Sequence, residues 1–164
     1  MMLMSAAAIE ALSLISPPVE ARSLRQSVAA AAMAEARSCY DHLAGRAGIA
    51  LRDSLLTRGL LSADGARDFQ LTDRGLCFLG ELGLDAEPIL RSRRMLARDC
   101  LDWTERKPHL AGGLPAALLA RFLDLGWLDR RRNDRGLTVT DLGHANLPAL
   151  GQRSTPGSLA GAGG

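Results

Sequence analysis

ARSCYDHLAG at residues 36–45 and ARDCLDWTERKPHLAG at residues 97–112 are two versions of one motif, the second with six extra residues between its aspartate and its His-Leu-Ala-Gly. The alignment pairs Cys39 with Cys100, Asp41 with Asp102 and His42 with His109. It continues downstream, where LLTRGLL at 55–61 answers to FLDLGWL at 122–128 and LTDRG at 71–75 to VTDLG at 139–143. Each copy is a unit of roughly 60 residues, a size that buries a small fraction of its own surface and gains by packing on its twin. The expected organisation is an N-terminal helix and linker (1–27), a first unit (28–90), a second unit (91–150) and a disordered tail (151–164).

The 164 residues are 47% hydrophobic and 4% aromatic, an apolar content carried by Leu and Ala that favours helices. The net charge of +2 is too small to imply nucleic acid by itself. Three cysteines, Cys39, Cys77 and Cys100, are an odd set without a close pair, which excludes a secreted disulfide framework and points to a reducing cytoplasm. Residues 1–16 are apolar but carry Glu10 and are too short to span a bilayer, so they read as a helix and no membrane partner is expected.

Along the chain, Ile9, Leu12 and Ile15 mark an apolar helix over 3–15 that stops at Pro17-Pro18. A long helix capped by Ser23 is expected over 23–44, with Gly45 ending it, and a second over 49–58 closing at Gly59. A turn at 62–65, a strand at 68–72 and a helix capped by Thr72 complete the first unit. The second unit is expected to repeat this: a helix over 97–104, a helix over 114–125, strands at 127–131 and 137–140 around a turn at 132–136, and a last helix opening at Thr140. The fold class is therefore mainly α with short β-hairpins (α+β): two tandem winged-helix-like units preceded by an apolar helix.

On such helices Arg37 and Asp41, and likewise Arg98 and Asp102, are four apart, the spacing of an intrahelical salt bridge. Cys39 and His42 share a face. Cys39, Asp41 and His42 with Cys100, Asp102 and His109 offer soft sulfur, borderline nitrogen and carboxylate oxygen, a donor set for zinc or another thiophilic ion such as arsenite or cadmium if the copies face each other. A purely structural reading competes with it: packing cysteines, aspartates paired to arginines, histidines bonded to backbone carbonyls. A redox pair of Cys39 and Cys100 is a further alternative. Cys77 reads as core, and Trp103, Trp127 and Tyr40 read as core before pocket lining.

Arg130, Arg131, Arg132 and Arg135 crowd the second turn, and Arg91, Arg93, Arg94 and Arg98 precede the second copy. Each cluster is a solvated surface or a phosphate contact. No nucleophile–base pair, phosphate loop or paired-carboxylate motif is present in the sequence, so no enzyme is expected.

The ARSCYDHLAG, LLTRGLL and CLDWTERKPHLAG motifs, with ALSLISPPVEARSLRQS at 11–27, resemble the C-terminal region of a subgroup of bacterial ArsR-type winged helix-turn-helix repressors. The resemblance runs from Ile9 to Leu150. It implies an effector-sensing and dimerisation module of a transcription regulator, a homodimer formed through the N-terminal helix, and DNA as partner only if a helix-turn-helix domain is supplied or the second wing binds. The family's DNA-reading domain would lie ahead of Met1, and no position here matches its DNA contacts.

Overall fold

A computed structural model describes residues 23–132 and 134–147; the expected helix over 3–15 and the tail lie outside them. The chain is mixed α and β with short antiparallel hairpins, in the order α1 (Leu24–Glu35), β1 (Arg37–Cys39), β2 (His42–Ala44), α2 (Arg46–Thr57), β3 (Leu61–Ala63), β4 (Asp68–Leu71), α3 (Asp73–Glu81), α4 (Ala86–Arg91), β5 (Ala97–Leu101), β6 (Pro108–Ala111), α5 (Gly113–Asp124), β7 (Leu128–Arg130), β8 (Leu137–Val139) and α6 (Asp141–Asn146). Each copy thus runs hairpin, helix, wing-like hairpin, helix.

The two motif segments are hairpins where helices were expected. Helix α1 stops at Glu35, and Cys39 faces His42 across a two-residue loop. In the second copy Cys100 faces His109, and the extra residues form the longer loop between β5 and β6. Positions i and i+3 are neighbours both on a helix and across a two-residue β-turn, so the Cys–His spacing suits either. Tertiary pairing decides between them. Strand β5 hydrogen-bonds to β4, joining β3-β4-β5-β6 into one sheet, with Asp68 opposite Arg98. Strand β1 makes the matching contact with β8: Arg37 bridges Gly136, Ser38 N–H donates to the Arg135 carbonyl, and Leu137 N–H donates to that of Ala36. A helix over 37–44 would leave these edges unpaired.

The copies exchange partners in their helices as well. Helix α2 packs on β6 of the second hairpin and α5 packs on β2 of the first. The shared core holds Leu43 and Leu110 of the two His-Leu-Ala-Gly motifs with Leu55, Leu79, Leu118 and Phe122. The glycines that were expected to end a helix start one instead. Gly45 (φ 79°) caps α2 and Gly112 (φ 127°) caps α5, and a Cβ there would lie 2.7 Å from the Ala34 carbonyl oxygen or 2.6 Å from that of Leu96. Positive φ and close backbone approach together require glycine at both strand-to-helix corners.

The wings and last helices match expectation closely. Thr72 Oγ1 accepts from Gly75 N–H at 3.1 Å and Thr140 Oγ1 from Gly143 N–H at 3.0 Å, and each hydroxyl donates to the carbonyl of the turn glycine before its wing, Gly59 or Gly126. Leu61–Ala63 is a strand where a turn was expected from Ser62, because it pairs with β4. Helix α4 had no forecast. Among the described residues no helix is long and apolar enough to cross a membrane.

Candidate metal centre

Strand alternation explains how each hairpin presents its ligands. In β2 and β6 the leucine of His-Leu-Ala points into the core, so the histidine before it points to the opposite face, where the cross-strand cysteine also lies. The exchanged packing brings these two faces together. One ligand atom from each of Cys39, His42, Cys100 and His109 lies within 4.8 Å of the other three. The imidazoles are buried beneath, their ring centroids 5.2 Å apart, and the sulfurs are half-buried above them.

Both nitrogens of both imidazoles are buried without a hydrogen-bond partner. Four such atoms in one place are exceptional, since buried polar groups are nearly always satisfied. The expected bonds from histidine to backbone carbonyls are not formed. A tetrahedral S2N2 ion with metal–sulfur bonds near 2.3 Å and metal–nitrogen bonds near 2.0 Å needs its ligand atoms roughly 3.3–3.8 Å apart, a small contraction from this arrangement. The Cys39 thiol is held far below its ordinary pKa, first by the neighbouring Cys100 thiol, with His109 and His42 nearby adding to the effect and burial opposing it. Thiolate is the ligating form.

The aspartates stand behind the histidines. Asp41 Oδ1 is 3.5 Å from His42 Nδ1 and Asp102 Oδ2 is 3.6 Å from His109 Nδ1. With a carboxylate beside each Nδ1, the Nε2 atoms would be the ones to hold an ion, and the carboxylates would help to orient the rings. The forecast Arg37–Asp41 and Arg98–Asp102 bridges do not exist, because residues four apart are not neighbours in a hairpin. Arg37 instead donates to Asp102 Oδ1 across the copies at 2.6 Å, both side chains being fully buried. Arg94 clasps Asp41 from the surface at 2.5 and 2.9 Å.

Asp102 also accepts from Gly45 N–H at 2.7 Å, from the Thr104 hydroxyl at 2.7 Å and from the N–H groups of Thr104 and Glu105. Burial pushes its carboxyl up, but the bonds from Arg37, Thr104 and the backbone outweigh this and hold it below the ordinary carboxylate range. Arg37 runs on to the Met33 carbonyl at 3.0 Å in the last turn of α1, with Trp103 stacked on its guanidinium at 4.6 Å. Asp41 is likewise lowered, first by its bond from Arg94. Of the six inserted residues, Trp103, Thr104 and Glu105 take part in this network, and a cavity opens beside the cysteines.

The remaining forecasts fall elsewhere. Cys77 is exposed, not core, since α3 turns it outward beside buried Phe78 and Leu79. Trp127 packs, stacked on Phe122 at 5.3 Å, but Tyr40 and Trp103 are exposed because they sit on hairpin loops. Arg131 pairs with Asp134, Arg130 and Arg132 are exposed on the wing, and Arg135 reaches the cavity beside the cysteines. The Arg37–Asp102 pair was missed. Its signal is the two-residue step from Arg37 to Cys39, which places both on one face of a strand.

The chain is 39% identical over 135 residues to a protein of Bacillus subtilis (strain 168) named as an uncharacterized HTH-type transcriptional regulator, YdfF. The alignment takes in 82% of this chain and 59% of that protein, so the chain spans less than two thirds of its relative's length. No protein-family model matches the chain, and no solved structure matches it significantly.

Proposed function

We propose that this chain is the sensing region of a transcription regulator of ArsR type, and that it works by holding a thiophilic divalent metal ion, Zn2+ foremost, between its two repeats. The observation that carries the reading is the convergence of Cys39, His42, Cys100 and His109 with all four imidazole nitrogens unpartnered. Two thiolates and two neutral imidazoles match the dication in charge and in softness, and four protein ligands leave no open position for catalysis. Such a centre is a regulatory or structural one, consistent with a non-enzymatic role. The similarity to an HTH-type regulator supports transcription as the output.

Each repeat supplies half of the ligands, so occupancy is linked to how firmly the repeats close on each other. Metal binding then becomes folding free energy. Asp102 and Arg37 extend that closure to α1. Homodimerisation through the apolar N-terminal helix expected over 3–15, and DNA contact where a helix-turn-helix domain is supplied or the second wing binds, belong to the same proposal.

Elemental analysis of the chain purified under reducing conditions tests the reading. One equivalent of zinc per chain is expected, falling to background in C100S/H109A; less than about a tenth of an equivalent of any transition metal after zinc reconstitution rejects it.

A further inference from the structure

Beside the sulfurs the surface opens into a cavity of about 1020 Å³, large enough for a small organic molecule. Its charge is unbalanced. Four charged side chains line it, Asp41, Arg94, Arg98 and Arg135. Asp41 is satisfied by Arg94, while Arg98, with Asp68 opposite it on β4, and Arg135 form no ion pair among the described residues. A dication held by two thiolates and two imidazoles adds no net charge. With the metal bound, the lining therefore carries an excess of positive charge.

Its walls are unusual for a surface. The whole chain has two tryptophans and one tyrosine, and Trp103 and Tyr40 both stand at this cavity, 47% and 84% exposed, with Met95 half exposed beside them. Exposed apolar surface grouped around a concavity marks a binding site more often than chance exposure does. Tyr40 is also at an unfavourable place. It has φ 57° at the first position of the two-residue loop between β1 and β2, where glycine is the usual residue. The backbone there gains nothing from tyrosine, so its side chain is what the position uses.

We infer that this cavity is a second ligand site, distinct from the metal ligands, that takes a small organic anion: a carboxylate between Arg98 and Arg135, and an aromatic or branched apolar body against Tyr40, Trp103 and Met95. The site rests on the metal reading only for its floor, because Cys39, His42 and Cys100 are shared with the centre. Its specificity follows from the two halves of the lining. A bare inorganic anion meets the arginines alone, and a neutral aromatic amide meets the rings alone.

Titration of the zinc-loaded full chain with benzoate, benzamide and inorganic phosphate, followed by calorimetry and tryptophan emission, tests the inference. Benzoate is expected to bind saturably, with benzamide and phosphate each weaker by about tenfold or more, and R98A/R135A is expected to lose at least about tenfold in benzoate affinity while keeping its zinc. Y40G is expected to bind benzoate more weakly yet melt at a higher temperature. No saturable benzoate binding up to about 10 mM, equal binding by phosphate, or unchanged binding in R98A/R135A overturns the inference. A wild-type chain that binds benzoate but no metal sinks the metal reading and leaves the cavity standing; the converse leaves the centre and removes the cavity.

Discussion

Replacing Asp102 with alanine removes one carboxylate that is fully buried and answers five donor groups: the Arg37 guanidinium, the Thr104 hydroxyl and the N–H groups of Gly45, Thr104 and Glu105. The dominant effect is a buried guanidinium left without its counter-charge, a loss of about 3–5 kcal/mol when one partner of such a pair is deleted. Stability of a domain of this size is about 5–15 kcal/mol, so the variant should remain folded but melt about 10–20 °C lower. The assay is thermal and urea unfolding with chelator present, to keep metal out of the comparison. Two companions make the reasoning checkable. D41A breaks an ion pair whose partners are both near half exposed and should cost only about 0–1 kcal/mol. R37M/D102L, which removes both charges, should recover most of the loss. A D102A chain within about 1 kcal/mol of the wild type would refute the burial argument, as would an R37M/D102L chain as unstable as D102A.

Zinc affinity should fall about 10–100-fold in D102N, read by competition with a chromophoric chelator, because the carboxylate behind His109 Nδ1 is lost while the four ligands remain. On acidification of the metal-free protein, the contribution of Asp102 should be intact above its unfolded-state pKa of about 3.9 and be lost as the pH falls below that, since its folded-state value is depressed; the gap in urea midpoint between wild type and D102N should therefore narrow from pH 7 to pH 3. G45A and G112A should each destabilise by at least about 1 kcal/mol in chemical denaturation, as both impose a side chain on positive φ and on a facing carbonyl. T72A and T140A should each cost about 1 kcal/mol and by similar amounts, because the two caps make the same bonds.

The duplicated sequence disclosed the order of elements after each motif, the capping threonines and the four candidate ligands. It did not disclose the state of the motifs themselves. Cys39 and His42 are spaced for a helix face and for a tight hairpin alike, and an alanine-rich run just before them favours helix locally. What selects the hairpin is pairing with strands that lie 32 and about 100 residues away in sequence, as in Asp99 N–H to the Arg67 carbonyl or Ser38 N–H to that of Arg135. Local propensity carries no information about such partners. The same exchange moved the ion pairs: Arg37 finds Asp102 in the other copy instead of Asp41 in its own. Exposure of Tyr40 and Trp103 followed from these placements and that of Cys77 from the outward face of α3, whereas composition alone assigned aromatic and thiol groups to the interior.

The central claim is that two hairpins from two repeats jointly hold one metal ion. X-ray absorption at the zinc edge of the reconstituted, reduced chain measures this directly. The account predicts one zinc per chain with two sulfur neighbours near 2.3 Å and two nitrogen neighbours near 2.0 Å, reduced to a single sulfur in C39S and in C100S alike. A shell of oxygen and nitrogen alone, or a spectrum that neither cysteine substitution alters, would contradict it.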